Sequence, residues 1–139
     1  MSSAFVADSS VAVAWAVASQ SSEATRHLLD DVALGTPLVV PVLWMFEVAN
    51  SLLALARRKR IEPQEHARAR GALGQLNPTI DGEGPRLALG KIAELAEKHS
   101  LSVYDATYLE LAIRRGLPLA SRDAALNKAA KLSGVRTLL

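Results

Sequence analysis

The stretch LSVYDATYLELAIRRGLPLASRD, residues 101–123, predicts a helix followed by a short buried strand. Ser102 can cap a helix that runs to Arg115. Gly116 ends this helix, because glycine readily adopts the backbone conformation that closes many helices. The apolar residues 117–120 then form a short strand. A helix that leads directly into a buried strand is typical of parallel sheets, in which helices connect the strands.

The same alternation of short strands and longer helices extends along the whole chain. Apolar runs predict strands at 4–7 and 38–40, a minor strand at 79–80 and a closing segment at 135–138. Helical patterns predict helices at 11–18, from Ser21 or Ser22 to 34, at 42–59 with Pro41 in its first turn, and at 63–73, 85–99 and 123–132. We therefore predict a single three-layer α/β domain over residues 1–139.

The composition excludes several classes of functional site. The chain of 139 residues contains no cysteine, so it has no disulfide framework, no thiolate zinc site and no cysteine nucleophile. Any metal ion must be bound by oxygen or imidazole ligands. The net charge of +2 does not require a nucleic-acid partner, although residues 57–60 concentrate four positive charges.

The apolar N-terminus could be mistaken for a targeting segment. Residues 1–19 lack a basic start, and Asp8 interrupts their apolar run, so we expect folded structure rather than a signal peptide. The sequence also contains no apolar run of the roughly 20 residues that a membrane-spanning helix needs. We therefore expect a soluble, cytoplasmic protein without a membrane partner.

Three aspartates are predicted to converge at one edge of the sheet. Asp8 follows the first strand, Asp105 opens the helix before the strand at 117–120, and Asp123 follows that strand. Ligands of open parallel sheets bind beyond the carboxyl ends of the strands, where these side chains are expected. Each aspartate also has a structural alternative, because Asp8 and Asp123 can be N-caps and the pair Ser102 and Asp105 resembles a capping box.

Glu47 has no capping role, because it lies in the middle of a predicted helix. Its neighbours in 42–49 are apolar in nearly every direction around the helix axis. A buried, unpaired carboxylate costs several kcal/mol, which a divalent cation can offset. The alternative is a helix residue that faces solvent. Asn50 and Ser51 follow within about one turn and can extend the same site, or form a plain polar stripe.

Serine side chains flank the predicted acids on both sides of the sheet edge. Ser9 and Ser10 follow Asp8, and Ser121 precedes Asp123 by two positions. Their hydroxyl groups can hold metal-bound water or a phosphate oxygen. Serine also begins many helices, so a capping role is the alternative for each of them.

Taken in order, four segments of the chain resemble the acidic signature of PIN domains. These segments are VADSS at 6–10, EVAN at 47–50, LSVYDA at 101–106 and LASRD at 119–123. Within that family, the chain is most similar to the VapC-type ribonuclease toxins of prokaryotic toxin-antitoxin pairs. This likeness rests on the chain length, on the spacing of Trp44, Glu47 and Asn50, and on the sequence YDA at 104–106.

The resemblance implies a parallel sheet with helices on both faces and an acidic pocket at its carboxyl edge. Asp8, Glu47, Asp105 and Asp123 would project into this pocket as catalytic residues and as ligands of Mg²⁺ or Mn²⁺. Ser10, Asn50 and Ser121 would support them, and Ser121 matches the Ser or Thr that usually precedes the last acid. Leu126 stands near the position where some members carry a further acid, which puts a second metal site in doubt.

The resemblance further implies an RNA substrate, a cognate antitoxin and a homodimer. The expected reaction is in-line attack of a metal-activated water on a phosphodiester. Arg57, Arg58, Lys59 and Arg60, together with Arg114 and Arg115, can contact RNA phosphates, or can simply stabilise helix ends. His27, His66 and His99 are assigned to the surface.

Other functions remain compatible with the same acidic residues. A metal-dependent phosphatase or a DNA nuclease could use an equivalent carboxylate cluster. A degenerate PIN-like module that only binds protein is the alternative outside the enzymes. Loss of one or more of the acids would favour that alternative, and all four are present.

Overall fold

The sheet is parallel throughout, as the sequence predicts. We analysed a computed structural model, which describes residues 4–139. Within that range the strands are β1 (Phe5–Ala7), β2 (Leu38–Pro41), β3 (Thr79–Asp81) and β4 (Leu119–Ala120). They form one sheet in the order β3-β2-β1-β4, and every strand pair is parallel. The order reverses at β1, which therefore lies at a topological switch point.

Helices connect these strands. They are α1 (Ser9–Ala16), α2 (Glu23–Ala33), α3 (Leu43–Arg57), α4 (Pro63–Gly74), α5 (Gly84–Leu87), α6 (Ala93–His99), α7 (Val103–Arg115) and α8 (Ala124–Leu132). Local signals set several of the helix ends. Ser22 and Thr25 form a capping box at the start of α2, and Gly116 closes α7 with a φ of 63°.

The helices form two groups, with the sheet between them. Helix α1 packs against α2, α3 and α4, whereas α7 packs against β1, β2, α6 and α8. Small aliphatic side chains of the strands fill the centre, and Trp44 and Tyr108 are the largest buried side chains. The predicted α/β class and three-layer arrangement are confirmed.

Two predicted helices begin or continue differently in the structure. Pro41 is the last residue of β2, paired with Asp81, and is not part of the first turn of α3. The residue before a proline disfavours helical backbone, so the chain stays extended through Val40 and α3 begins at Leu43. The helix predicted at 85–99 is interrupted by a π turn at Ala88–Ile92, which contains the weak helix former Gly90.

The C-terminal segment contributes less to the sheet than the prediction of a closing strand at 135–138 suggests. Thr137 forms an isolated parallel bridge with Leu119. The Leu119 amide donates to the Arg136 carbonyl at 2.9 Å, and the Leu138 amide donates to the Leu119 carbonyl at 2.9 Å. Across residues 4–139, none of the helices has the length and apolar character needed to span a membrane.

Candidate active site

Asp8 is the most buried of the four predicted site acids, with 4% of its surface exposed. It caps α1, and its side chain also links the end of β1 to Ser121 in the loop after β4. Its Oδ1 accepts hydrogen bonds from the Ser10 hydroxyl at 2.6 Å and the Ser10 amide at 3.1 Å, while its Oδ2 accepts one from the Ser121 hydroxyl at 2.5 Å. Burial raises the pKa of Asp8, against the opposing effect of these bonds. The capping role and the predicted convergence are therefore compatible.

Ser121 joins the loop after β4 to Asp8. Besides donating to Asp8, its hydroxyl accepts a hydrogen bond from the Asp123 amide at 3.0 Å. Asp123 caps α8, because its Oδ2 accepts from the Leu126 amide at 2.8 Å, and its side chain lies at the surface. The Arg122 amide donates to the Ser10 hydroxyl at 3.0 Å, so the loops after β1 and β4 are bonded together.

Glu47 approaches the site from α3 and is held by α7. The Tyr108 hydroxyl donates a hydrogen bond to Glu47 Oε1 at 2.6 Å. Partial burial raises the pKa of Glu47, and the charges of Asp105 and Asp8 raise it further, while the Tyr108 bond opposes the shift. Glu47 is therefore not fully exposed to solvent, and within residues 4–139 it is not paired with a cationic side chain.

Tyr108 is a site residue that the sequence analysis missed. It is fully buried, and burial and the hydrogen bond to Glu47 raise its pKa well above the usual range. It follows Asp105 by three positions and therefore lies on the same side of α7. That spacing, together with the need of a buried tyrosine hydroxyl for a partner, was the available signal.

Asp105 lies in the first turn of α7, close to other acids of the site. Its amide donates to the Ser102 hydroxyl at 3.0 Å, so the predicted cap is present. Partial burial raises the pKa of Asp105, and the charges of Asp123 and Asp8 raise it further. Helix α7 thus places a carboxylate within electrostatic reach of Asp8, which follows β1, and of Asp123, which follows β4.

The four acids are electrostatic neighbours, but they do not form a closed set of ligands. The charge of Asp8 raises the pKa of both Glu47 and Asp105, and the charge of Asp123 raises the pKa of Asp105. Among residues 4–139, no three Asp, Glu or His side chains stand close enough together to bind one ion as placed. The oxygen donors and the mutual repulsion nevertheless fit a hard divalent cation such as Mg²⁺ or Mn²⁺.

The other predicted polar residues lie along α3. Asn50 is exposed and Ser51 is half-buried, within about one turn after Glu47. Arg57, Arg58, Lys59 and Arg60 are all exposed at the end of α3 and in the turn after it. Arg57 lies about 15 Å along the helix from Glu47, so the structure does not bring this basic run to the acids.

Arg114 and Arg115 bind a buried aspartate, Asp81, at the end of β3. Arg114 contacts both carboxylate oxygens of Asp81, at 2.9 and 2.7 Å, and Arg115 contacts Oδ1 at 2.9 Å. Arg114 also donates to Glu110 Oε2 at 2.8 Å. The hydrogen bond from Arg114 holds the pKa of Asp81 down at about 2. The structure therefore favours a stabilising role for both arginines over phosphate contact.

Two of the three histidines have partly buried surroundings. His27 is exposed, as predicted. Nε2 of His66 is buried without a hydrogen-bond partner, and the His99 ring lies 3.4 Å from the Ser133 hydroxyl. The surface assignment is therefore incomplete for His66, whose Nε2 atom is shielded from solvent.

Comparison with known proteins identifies the fold and the family. Residues 5–132 match the PIN domain. PAE2754 from Pyrobaculum aerophilum has 21% identity and a TM-score of 0.69, covering 96% of this chain and 83% of that one. FitAcB from Neisseria gonorrhoeae has 15% identity and a TM-score of 0.64, covering 96% and 95% of the two chains.

A third structure and the family match complete the comparison. VapBC2 from Rickettsia felis, bound to a DNA fragment from their promoter, has 11% identity and a TM-score of 0.59, and covers 86% of this chain and 87% of that one. No curated protein matches the chain significantly. PIN domains are generally nucleases, and these nucleases generally use divalent metal ions. With its acids gathered at the switch point of a parallel sheet and its sequence matching over residues 5–132, the chain belongs to the PIN-domain family.

Proposed function

We propose that this chain is a metal-dependent ribonuclease that hydrolyses RNA phosphodiester bonds. The observation that carries the proposal is the position of Asp8, which is buried at the carboxyl end of β1 and repelled by neighbouring carboxylates. Such an arrangement is costly for folding, because burial and repulsion both disfavour charge. A costly charge cluster in a nuclease family is best explained by a catalytic role.

The chain's own residues hold this cluster in different ways. Ser10 and Ser121 fix both oxygens of Asp8, and Tyr108 fixes one oxygen of Glu47. Asp105 and Asp123 would complete the set of oxygen ligands. A bound Mg²⁺ or Mn²⁺ supplies positive charge that polarises the phosphodiester and lowers the pKa of a bound water. The side chain of Leu126 is a buried hydrocarbon, so it offers no further oxygen ligand near Asp123.

A polymeric substrate accounts for the exposed basic residues at the end of α3, whereas a phosphomonoester does not. The basic run Arg57, Arg58, Lys59 and Arg60 is exposed about 15 Å along α3 from Glu47, several nucleotides beyond the acids. A small phosphate ester bound at the acids could not reach it. The preference for RNA over DNA rests on the resemblance to VapC-type toxins. A degenerate module has no need to maintain all four acids at the cost of repulsion.

The same resemblance supports a toxin that is inhibited by an antitoxin. Two structures of similar fold carry the names FitAcB and VapBC2, and the latter is bound to promoter DNA. An arginine of the antitoxin could occupy the acidic pocket, since a guanidinium pairs bidentately with carboxylates. We also propose a homodimer, whose mass light scattering would measure. The cytoplasmic location stays a prediction.

The experiment compares three substrates under matched conditions. Single-stranded RNA, DNA of the same sequence and a phosphomonoester are incubated with the protein and Mg²⁺, Mn²⁺ or a chelator. We expect cleavage of RNA alone, abolished by the chelator and by Asp105→Asn. The control Glu94→Gln removes an exposed acid on α6, away from the acidic cluster, and should cleave like the wild type. Undiminished RNA cleavage by folded Asp105→Asn, or in the chelator, would contradict the proposal.

A further inference from the structure

Arg122 lies between two residues of the candidate active site, Ser121 and Asp123, but its side chain is bonded to a distant part of the chain. Its Nη1 donates to the Ser10 carbonyl at 3.3 Å, and its Nη2 donates to Gln20 Oε1 at 3.1 Å. Ser10 lies in the first turn of α1, and Gln20 ends the short 3₁₀ turn that follows this helix. Arg122 thus ties the turn after β4 to both of these segments.

The guanidinium of Arg122 is bonded to neutral acceptors, a carbonyl and an amide oxygen. Within residues 4–139 it forms no ion pair with an Asp or Glu side chain, in contrast to Arg114 and Arg115. Hydrogen bonds from a charged donor are roughly twice as strong as those between neutral groups. Arg122 therefore holds two loops together without neutralising the acids beside it.

The turn that carries Asp123 receives little support from the sheet. Strand β4 contains only two residues, which pair with β1. The charge of Asp123 raises the pKa of Asp105, so the two ionised carboxylates repel each other. This repulsion favours movement of the turn away from the other acids. The bonds of Arg122 oppose such a movement, because they fix the residue that directly precedes Asp123.

Ser10 connects the same contacts to the most buried acid. Its hydroxyl donates to Asp8 Oδ1 at 2.6 Å and accepts from the Arg122 amide at 3.0 Å, while its carbonyl accepts from the Arg122 side chain. Asp8 and Asp123 are therefore joined through two intervening residues. Groups that support metal ligands in this way account for roughly ten- to a hundredfold in metal affinity or activity.

We propose that Arg122 is a positioning residue, whose bonds to Ser10 and Gln20 keep Asp123 within reach of a metal ion held at Asp8. The proposal rests on the metal-dependent nuclease function and adds to it a residue that contacts neither the metal nor RNA. The bonds join positions 112 and 102 residues apart, so they close the site between the first and the last elements of the domain.

An RNA phosphate is the competing partner of Arg122. Two of the five N–H groups of the guanidinium are used in the bonds described, so others could contact a phosphate. Loss of a phosphate contact would weaken RNA binding and lower its salt dependence. It would not weaken Mn²⁺ binding in the absence of RNA. Removal of a positive charge beside a cation site would instead strengthen that binding. The sign of the change in Mn²⁺ affinity therefore separates the two roles.

The test is calorimetric titration with Mn²⁺ in the absence of RNA. We expect Arg122→Ala to bind the ion roughly tenfold more weakly than the wild type. Gln20→Ala should show a smaller loss, and the double variant should lose no more than Arg122→Ala, because both changes remove the same contact. The control Arg26→Ala removes an equal charge from an exposed arginine whose Nη1 donates to the Ser21 hydroxyl at 3.3 Å, and should bind like the wild type.

Mn²⁺ binding by folded Arg122→Ala that equals or exceeds that of the wild type would overturn the positioning role. An equal loss in Arg26→Ala, or losses that add in the double variant, would also overturn it. If thermal unfolding shows that Arg122→Ala does not fold, Gln20→Ala decides, and wild-type affinity in that variant overturns the role. In each of these cases the nuclease function stands if the wild type binds Mn²⁺ and cleaves RNA. A wild type that binds no Mn²⁺ overturns both.

Discussion

Two buried aspartates at the same edge of the sheet have opposite electrostatic surroundings. Asp8 follows β1 and Asp81 ends β3, and their exposed fractions are similar, at 4% and 2%. Asp81 is bonded to Arg114 and Arg115, which hold its pKa down at about 2. Asp8 has hydroxyl and amide donors but no cation, and burial raises its pKa.

The difference separates a structural carboxylate from a functional one. Asp81 is neutralised within the protein, so its burial stabilises the connection between β3 and α7. Asp8 lies near Glu47 and Asp105, and its charge raises the pKa of both, so an external cation would relieve the repulsion within the group. We call Asp81 with Arg114 and Arg115 the complete cluster, because the charge of its carboxylate is balanced by arginines. We call Asp8, Glu47, Asp105 and Asp123 the incomplete cluster, because among residues 4–139 no cationic side chain balances these carboxylates.

The largest expected effect is on activity and is confined to the incomplete cluster. Asp8→Asn keeps the size of the side chain but removes a charge that the cation needs, so kcat/KM for RNA should fall by roughly a hundredfold or more. Asp81→Asn should retain a rate close to that of the wild type once its folded fraction is taken into account. Initial rates on a short RNA measure both. Equal losses of kcat/KM in Asp8→Asn and Asp81→Asn would contradict the assignment of different roles to the two aspartates.

The complete cluster should instead matter for stability. Asp81→Asn leaves the guanidinium of Arg114, whose side chain is partly exposed, with Glu110 as its remaining charged partner. We expect the free energy of unfolding to fall by about 2 to 3 kcal/mol, at or below the lower end for breaking a buried ion pair because Arg114 is 28% exposed. Urea denaturation at neutral pH measures this loss. An unchanged unfolding midpoint would show that the cluster contributes nothing.

Acid should weaken the same cluster. Because the pKa of Asp81 is about 2 in the folded state against an ordinary value of 3.8, its stabilising contribution is complete above about pH 4. It is lost as the pH falls toward 2, and amounts to roughly 2 kcal/mol. The free energy of unfolding, followed between pH 5 and 2, should fall more steeply in the wild type than in Asp81→Asn. Parallel curves would contradict the assignment.

The smallest expected effect is an increase in the free energy of unfolding rather than a decrease. Partial burial and the charges of Asp123 and Asp8 raise the pKa of Asp105, so its ionisation destabilises the metal-free protein as the pH rises from the ordinary value of 3.8 through the raised pKa. Asp105→Asn should therefore stabilise the metal-free protein at neutral pH, by on the order of 1 kcal/mol. Thermal unfolding in a chelator measures the gain, which should disappear at pH 3. A lower Tm for the variant at neutral pH would oppose this view.

The sequence predicted what local signals control and missed what distant partners control. The strand before Asp8, the cap at Ser102 and the helix end at Gly116 follow from apolar runs and capping residues. Tyr108 and Glu47 are 61 positions apart, and Arg114 and Asp81 are 33 apart. No helical or strand period relates positions so distant, so neither contact could be predicted before the tertiary fold was known.

The placement of the acids was predictable, but their pKa values were not. The rule for parallel sheets placed Asp8, Asp105 and Asp123 at one edge, and the neighbouring charges in the structure agree with it. The same rule could not show that Asp81, at the equivalent edge of β3, is neutralised by arginines. Its burial and its charge partners depend on how α7 packs against the sheet.

Calorimetric titration with Mn²⁺ at neutral pH tests the central claim most directly, because it measures binding of the cation without any substrate. The wild type and Asp81→Asn should both bind the ion, since the complete cluster takes no part in its coordination. Asp105→Asn should bind it at least tenfold more weakly, because one negative ligand is lost. Absence of binding in the wild type, or equal affinity in the wild type and Asp105→Asn, would contradict the claim that these acids form a metal site.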